Sequence, residues 1–307
     1  MNNHNYILFI FLSLVFSFTS FSQEPIYNHY GVDDGLPSSE VYDIYQDKEG
    51  YIWFATVKGL SRYNGYEFEN FNSNNGLPGN VVLRFYPQSN GQVWCYTHHN
   101  KALFYFNEKF NGFTPYEHNK LLSSKLHGVS SIKSVFLDSL NSLHIGGFEI
   151  NGEIIISENG DFNTKHNTKD YFGSIQEIVL SNELIHKSSN FHYTRSTTSA
   201  VRSNFSKVIH KNAHIQGEWM MTHEKAVFMS DKEVQIVDDD NVILIKSQQT
   251  SLRVKTIDST HFFVGYHFGG AKIINTKGKV QKEFLNNKSV TNFLIDHEGG
   301  DWFTTLN

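Results

Sequence analysis

Cysteine is almost absent from this sequence. Cys95 is the only cysteine among 307 residues, so no intrachain disulfide can form. A small secreted scaffold held together by disulfides is therefore excluded, because such scaffolds need paired cysteines. Cys95 follows Trp94 in an apolar run, and we interpret it as a buried, unreactive thiol.

Long basic runs are also missing. The formal net charge is -5 at pH 7, with 26 Lys and Arg residues against 31 Asp and Glu residues. A nucleic-acid-binding domain normally concentrates positive charge on one face. The charge balance therefore argues against nucleic acid as a partner.

Only one long apolar run is present, and it lies near the N-terminus. Residues 6–21 are mostly apolar, and small residues at Ser20 and Ser22 fit a cleavage site before Gln23. We predict a signal peptide over residues 1–22 and a periplasmic mature chain. The first five residues carry no Lys or Arg, so an uncleaved anchor is the alternative. No later stretch approaches the roughly 20 apolar residues that cross a bilayer.

Motifs for catalysis and metal binding are missing as well. His210 and His214 stand four residues apart, but Lys211 occupies the place where a zinc protease has Glu. The sequence has no G-x-S-x-G elbow and no glycine-rich phosphate loop, and its paired carboxylates fall in turn-like segments. We predict no catalytic residue, no metal and no cofactor, and we leave open whether a longer parent protein is an enzyme.

What the sequence does contain is a repeat of about 41 residues. The segment GLPSSEV begins at Gly35, and GLPGNVV begins 41 residues later at Gly76. The segment DKEGYIWFAT near the N-terminus returns as DHEGGDWFTT near residue 300. At the aromatic position of successive repeats we place Trp53, Trp94, His144, Ile185 or His186, Trp219, Phe263 and Trp302.

Each repeat has the pattern of four short strands joined by tight turns. An alternating run is followed by a glycine turn, a run that is apolar on both faces, and two further strands. We predict an all-β fold over residues 23–307: a seven-bladed β-propeller of four-stranded antiparallel blades, with the last blade truncated. The predicted structural positions of the repeat are Asp47, Gly50, Trp53, Thr56, Gly91, Trp94, Trp219, Phe263, Asp296, Gly299 and Trp302.

The segment GLPSSEVYDIYQDKEGYIWFATVKGLSRYNGYEF resembles the two-component-regulator propeller repeat of bacterial sensors. The resemblance is strongest over residues 26–115 and weaker over 250–307. It implies the periplasmic sensor region of a histidine kinase or hybrid sensor. In such proteins a Tyr-rich domain, a membrane helix and a kinase follow the propellers. We expect this chain to stop before those parts.

One set of polar residues falls at a common place in the repeat. His98, His223 and His267 each lie four residues after the aromatic position, and Lys58, His99 and Glu224 lie beside that position. In a four-stranded blade this place is the turn between the second and third strands. We therefore predict that these six residues border one mouth of the propeller as a ligand-binding rim. The alternative is that they are ordinary polar residues of surface loops.

Three functions are compatible with this fold, since propellers host all of them. The first is a ligand-binding sensory ectodomain, with an oligosaccharide as the ligand and a homodimeric parent receptor, both implied only by the resemblance. The second is a secreted propeller hydrolase or lyase acting on polysaccharide. The third is a secreted scaffold for protein interactions. In the receptor hypothesis we expect the membrane to be reached only through C-terminal parts that this sequence lacks.

Overall fold

The computed structural model describes residues 27–126, 132–147, 153–165, 176–180, 183–187, 191–194, 217–221, 226–230, 232–237 and 242–306. The chain divides into a unit Met1–Tyr30 and a unit Gly31–Asn307. All of the described strands lie in the second unit. The signal peptide predicted for residues 1–22 lies outside the described residues. Among the residues that are described, no helix has the length and apolar character needed to cross a membrane.

The first half of the unit forms three antiparallel sheets of four strands each. Sheet 1 contains β1–β4: Val41–Gln46, Ile52–Thr56, Gly59–Tyr63 and Phe68–Phe71. Sheet 2 contains β5–β8: Val82–Pro87, Gln92–Thr97, Ala102–Asn107 and Thr114–Pro115. Sheet 3 contains β9–β12: Ile132–Leu137, Leu143–Gly147, Glu153–Ile156 and Phe162–Lys165. Helix α1 (Asn119–Lys125) follows β8, and short 3-10 turns at Val32–Asp34 and Ser73–Asn75 precede sheets 1 and 2.

The second half contains one larger sheet and two smaller ones. Sheet 4 has seven strands, β13–β19: Gln176–Leu180, Glu183–Lys187, Phe191–Thr194, Gly217–Met221, Ala226–Ser230, Glu233–Val237 and Val242–Lys246. Its β15 and β16 pair in parallel, and its other pairs are antiparallel. Sheet 5 contains β20–β23: Ser251–Thr256, His261–Tyr266, Ala271–Asn275 and Val280–Phe284. Sheet 6 contains β24–β25: Val290–Ile295 and Asp301–Thr305.

The second strand of each repeat forms the packed centre of its sheet. All five residues of β2 are buried, as are five of the six residues in each of β6 and β21. A strand that is apolar on both faces needs cover on both faces, so it favours stacking between neighbouring sheets. The tight turn before this strand contains Gly50, Gly91 or Gly299, with φ values of 92°, 83° and 88° that favour glycine.

The first strands of the sheets pack side by side and bring the two ends of the unit together. Strand β1 contacts β5 of sheet 2 on one side and β24 and β25 of sheet 6 on the other. Thr291 Oγ1 in β24 donates a 2.7 Å hydrogen bond to the carbonyl oxygen of Val41, and Glu40 forms an isolated antiparallel bridge with Leu306. The all-β propeller fold of four-stranded antiparallel sheets is confirmed. The count of seven blades and the truncated last blade stay predictions.

The prediction for Trp219 was wrong by one strand. We placed Trp219 at the aromatic position of the repeat, which lies in the second strand of sheets 1 and 2. It lies instead in β16. Strands β16 and β17 both contact β20, the first strand of the next sheet, in the same way as β1 and β2 both contact β5. Strand β16 is therefore a first strand. The segment around Trp219 has two apolar runs that pair as a hairpin. The alignment matched Trp219, which lies in the first run, to the aromatic position of the repeat, which belongs in the second run.

Candidate functional site

The Asp–Gly–Trp segment of the repeat is a hydrogen-bonded unit that joins the turn to the second strand. In sheet 1 the Asp47 Oδ1 atom accepts backbone N–H bonds from Glu49 (3.0 Å) and Tyr51 (2.9 Å). Its Oδ2 atom accepts a 2.8 Å bond from Trp53 Nε1. One carboxylate therefore fixes both the turn and the orientation of the buried indole.

The same unit returns in two other sheets. Asp296 accepts bonds from the backbone N–H groups of Glu298 (2.9 Å) and Gly300 (2.7 Å) and from Trp302 Nε1 (2.7 Å). In sheet 3 the position of the tryptophan is taken by His144, whose Nε2 atom lies 3.1 Å from Asp138 Oδ2. A histidine can thus take over the hydrogen bond of the indole.

The aromatic positions of sheets 2 and 5, Trp94 and Phe263, are also packed between sheets. Trp94 is 3% exposed and donates to Gln92 Oε1 at 3.0 Å, because its repeat has no Asp at the turn. Phe263 is fully buried and stacks on Phe293 with ring centroids 5.2 Å apart. Thr56 and Thr97 close the strand, each donating from Oγ1 to a carbonyl of the third strand.

The carboxylates of these units have pKa values shifted in different directions. Burial raises the pKa of Asp47 above 3.8, although hydrogen bonds from Trp53 and the backbone oppose the shift. Burial also acts to raise the pKa of Asp296, but the hydrogen bonds from Trp302, Gly300 and Glu298 outweigh it and the pKa is lowered. Ionised Asp296 therefore stabilises the fold above pH 3.8, and that contribution is lost as the pH falls through its lowered pKa.

We expect Asp296→Asn to lower the free energy of unfolding at pH 7 by about 1–2 kcal/mol, since the carboxylate is only partly buried. The deficit should shrink as the pH falls below 3.8 and through the lowered pKa of Asp296, because the carboxyl of the unmutated protein then becomes protonated. Asp47→Asn is the matched control, because the raised pKa of Asp47 predicts a deficit that grows as the pH falls. Urea unfolding between pH 2.5 and 7 measures both, and parallel pH profiles would contradict the assignment.

Four of the six residues predicted for the ligand-binding rim, Lys58, His98, His99 and His267, lie at turns between second and third strands. The backbone N–H of His98 donates to Val81 O (2.9 Å), and that of His267 donates to Thr250 O (2.8 Å). Each acceptor directly precedes the first strand of the same sheet, so the two histidines occupy equivalent positions. Lys58, in the corresponding turn of sheet 1, is exposed and its backbone N–H donates to Thr56 Oγ1.

These turns share one face of the propeller. First strands of different sheets meet at equivalent positions, since Asp43 of β1 bonds to Asn292 of β24 and Arg253 of β20. The strands therefore run in the same direction, and their second-to-third-strand turns lie at the same end. We call this end the rim face. It carries Lys58, His98, His99 and His267, whereas His223 and Glu224 lie outside the described residues.

The histidines of the rim face differ in how firmly they are held. The ring of His98 is half-buried and meets the exposed ring of His99 at a centroid distance of 5.4 Å. His267 is exposed, but its Nδ1 atom lies 2.9 Å from the Oγ atom of buried Ser289. Ser289 Oγ also accepts the backbone N–H of Phe268 at 3.1 Å, so this turn is fixed to the loop that leads into sheet 6.

Below the rim face lies a buried polar cluster that sequence reasoning missed. Asp43 is 3% exposed and accepts bonds from the Arg253 guanidinium (2.9 Å), the Asn292 amide and the backbone N–H of Phe85 (2.9 Å). One carboxylate thus connects the first strands of sheets 1, 2, 5 and 6. We call Asp43, Arg253, Asn292 and Lys255 the axial cluster.

Lys255 extends the axial cluster away from the rim face. It stands two residues after Arg253 in β20, and its Nζ atom donates a 2.7 Å bond to the carbonyl oxygen of Phe293. Burial lowers the pKa of Lys255, and nearby Arg253 acts in the same direction while Asp43 opposes it.

A signal for the axial cluster was present in the sequence. The first strands of sheets 1, 2, 5 and 6 each have a register shift after the first residue or two, at Val41/Asp43, Val82/Phe85, Ser251/Arg253 and Val290/Asn292. Such a bulge redirects a side chain. The third residue of these strands is Asp43, Arg84, Arg253 or Asn292, so a polar residue recurs at one repeat position.

Comparison with known proteins gives this geometry a family context. Residues 35–58 match the family described as two component regulator propeller. This segment is thus similar to a two-component-regulator propeller repeat. It spans the 3-10 turn exit, β1, the Asp47 turn and β2, so the family pattern covers the hydrogen-bonded unit of sheet 1.

A curated relative and two solved structures are similar to parts of the chain. Histidine kinase P4 of Formosa agariphila is 33% identical over 70 residues, which is 21% of this chain and 5% of that protein. The extracellular domain of a protein assigned as a hybrid two component system of B. thetaiotaomicron has a TM-score of 0.58 and 15% identity, over 91% of this chain and 40% of that one.

The extracellular domain of a B. thetaiotaomicron protein assigned as a one component system has a TM-score of 0.59 and 14% identity, over 91% of this chain and 43% of that one. Identities this low show the fold alone. The chain spans less than half the length of each of these proteins.

Proposed function

We propose that this chain is the sensory ectodomain of a two-component receptor and binds its ligand at the rim face. The observation that carries the proposal is the two-component-regulator propeller repeat at residues 35–58. The similar solved structures, extracellular domains of signalling systems, support an exported domain. A signal peptide over residues 1–22 and a periplasmic location belong to the same proposal.

The rim face suits ligand recognition because its polar side chains stand on a rigid support. Lys58, His98 and His267 lie in short turns directly attached to buried second strands. Side chains that are held in place before binding lose little conformational freedom when a ligand arrives. A ligand that favours one arrangement of the receptor would shift the population of signalling states. The proposed ligand class is an oligosaccharide.

We expect at least one member of a panel of defined neutral and acidic oligosaccharides to raise the melting temperature of the purified chain. Combined replacement of Lys58, His98 and His267 by alanine should weaken that effect at least tenfold in ligand concentration. Folding should change little at the exposed residues Lys58 and His267, where turn substitutions seldom cost more than about 0.5 kcal/mol each, and half-buried His98 should account for most of any loss. Thermal unfolding with titrated oligosaccharide measures both.

The matched control is the pair Lys277→Ala and His297→Ala. Both residues are exposed, and both lie in turns at the end of the sheets opposite the rim face. This control should bind as the native chain does. Equal loss of binding in both variants, or no response to the whole panel, would contradict the proposal.

A further inference from the structure

The rim face has a charge that differs from that of the whole chain. Its second-to-third-strand turns carry basic or titratable basic side chains in four places. These are Lys58 in sheet 1, His98, His99 and Lys101 in sheet 2, Lys232 between β17 and β18, and His267 in sheet 5. Among the described residues of these turns there is no acidic residue. The described residues of these turns therefore carry an excess of basic groups although the chain as a whole has a net charge of -5, and only Asp231, beside Lys232 in the sequence, offsets a charge in these four turns.

Acidic side chains do occur near this face, in the segment before β1. Asp34 accepts the backbone N–H of Gly31 at 2.7 Å and so belongs to its own 3-10 turn. Glu40 accepts the hydroxyl of Tyr42 at 3.0 Å. Asp33 is exposed in the same turn as Asp34. These three carboxylates come from one segment, whereas the basic groups come from turns of several sheets.

The axial cluster below the rim face adds positive charge in a less hydrated setting. Arg253 and Lys255 stand in one strand, and Asp43 is the carboxylate bonded to the first of them. Arg84 lies at the position of β5 equivalent to Asp43. In the first strands of sheets 1, 2, 5 and 6, three cations thus accompany one carboxylate. Lys255 uses one N–H on the Phe293 carbonyl, which is a neutral acceptor.

We propose that the rim face and the axial cations together recognise an anionic group, a carboxylate or a sulfate, on the ligand. The proposal rests on the sensory function above and adds the chemical class of the ligand. An anion bound next to the axial cluster would be attracted by its cations, and the attraction would be strong because water screens these cations poorly. The rim lysines and histidines raise the local concentration of such a ligand before it binds.

The test uses inorganic sulfate and acetate as probes, with sodium chloride at matched ionic strength as the reference. Sulfate stabilises many proteins by exclusion from their surface, so the informative quantity is the difference between variants. Isothermal titration and thermal unfolding should show saturable binding of sulfate or acetate to the native chain. The probe that binds more tightly identifies the anionic group.

Lys255→Met should weaken anion binding about tenfold, and Lys58→Gln should weaken it severalfold. Lys58 is exposed, so that variant keeps the test valid if Lys255→Met fails to fold. The control Lys277→Gln removes a positive charge from the opposite end and should bind normally. Equal affinity in all four proteins would overturn the proposal. A neutral oligosaccharide that binds the rim, without any anion effect, would overturn it too while leaving the sensory function standing.

Discussion

Replacing Trp53 with alanine is expected to lower the free energy of unfolding by about 3–5 kcal/mol, the cost of a large-to-small change in a packed core. Trp53 is fully buried between sheets 1 and 2 and stacks on Phe106 and Phe71 with centroid distances of 4.5 and 5.7 Å. The substitution removes these contacts and leaves Asp47 without its indole donor. Urea unfolding of the native and variant chains measures the loss.

Two matched variants separate the packing of Trp53 from its hydrogen bond. Trp53→Phe keeps an aromatic ring and removes the Nε1–H donor, so it should cost about 1–2 kcal/mol. Trp302→Ala changes the same repeat position in sheet 6, where the indole is only half-buried, and should cost less than Trp53→Ala. A loss below about 1 kcal/mol for Trp53→Ala would show that the contact between the sheets is not the packed core described here.

Replacing Asp43 with alanine is expected to cost a similar amount, about 3–5 kcal/mol, by a different mechanism. Asp43 is 3% exposed, and its partner Arg253 has a side chain that is 13% exposed. Removing the carboxylate leaves a guanidinium and an amide without their acceptor in the interior, and an uncompensated buried charge is strongly destabilising. The loss should appear as a lower urea midpoint.

A double-mutant cycle identifies the charge as the cause. Arg253→Met combined with Asp43→Leu removes both charges and should recover much of the stability lost in Asp43→Leu alone. Asp43→Asn keeps the shape and the acceptor oxygen, so it should cost less than alanine. If the double variant is as unstable as the sum of the single variants, the two side chains are not coupled.

The architecture could be predicted from the sequence because the repeat contains residues with strong local preferences for turns or for buried strands. Gly50 and Gly91 mark turns that need positive φ, and Trp53 and Trp94 mark strands buried on both faces. The expectation for His144 also followed from spacing alone, and the bond to Asp138 shows what that position does. These features depend on residues within ten positions along the chain, and an alignment of the repeats detects such short-range patterns.

Features that depend on distant partners were not predictable in the same way. Asp43 looks like the polar half of an alternating strand, and its role depends on Arg253 and Asn292, more than 200 residues later. Trp219 was assigned to the wrong strand because its repeat keeps few of the marker residues. In sheets 1, 2 and 5, where a clear second strand precedes it, the rim position lies in the turn between the second and third strands.

The packing of β1 between β5 and β24 has a kinetic consequence. The bond between Thr291 and Val41 closes a loop of 250 residues, and that between Arg253 and Asp43 closes one of 210. Closing such long loops costs chain entropy before the contacts form, so the last step of folding should be slow. During synthesis, one side of sheet 1 stays uncovered until residues 290–305 have been made. The sheet that is synthesised first is therefore covered on both sides only after sheet 6 has been synthesised.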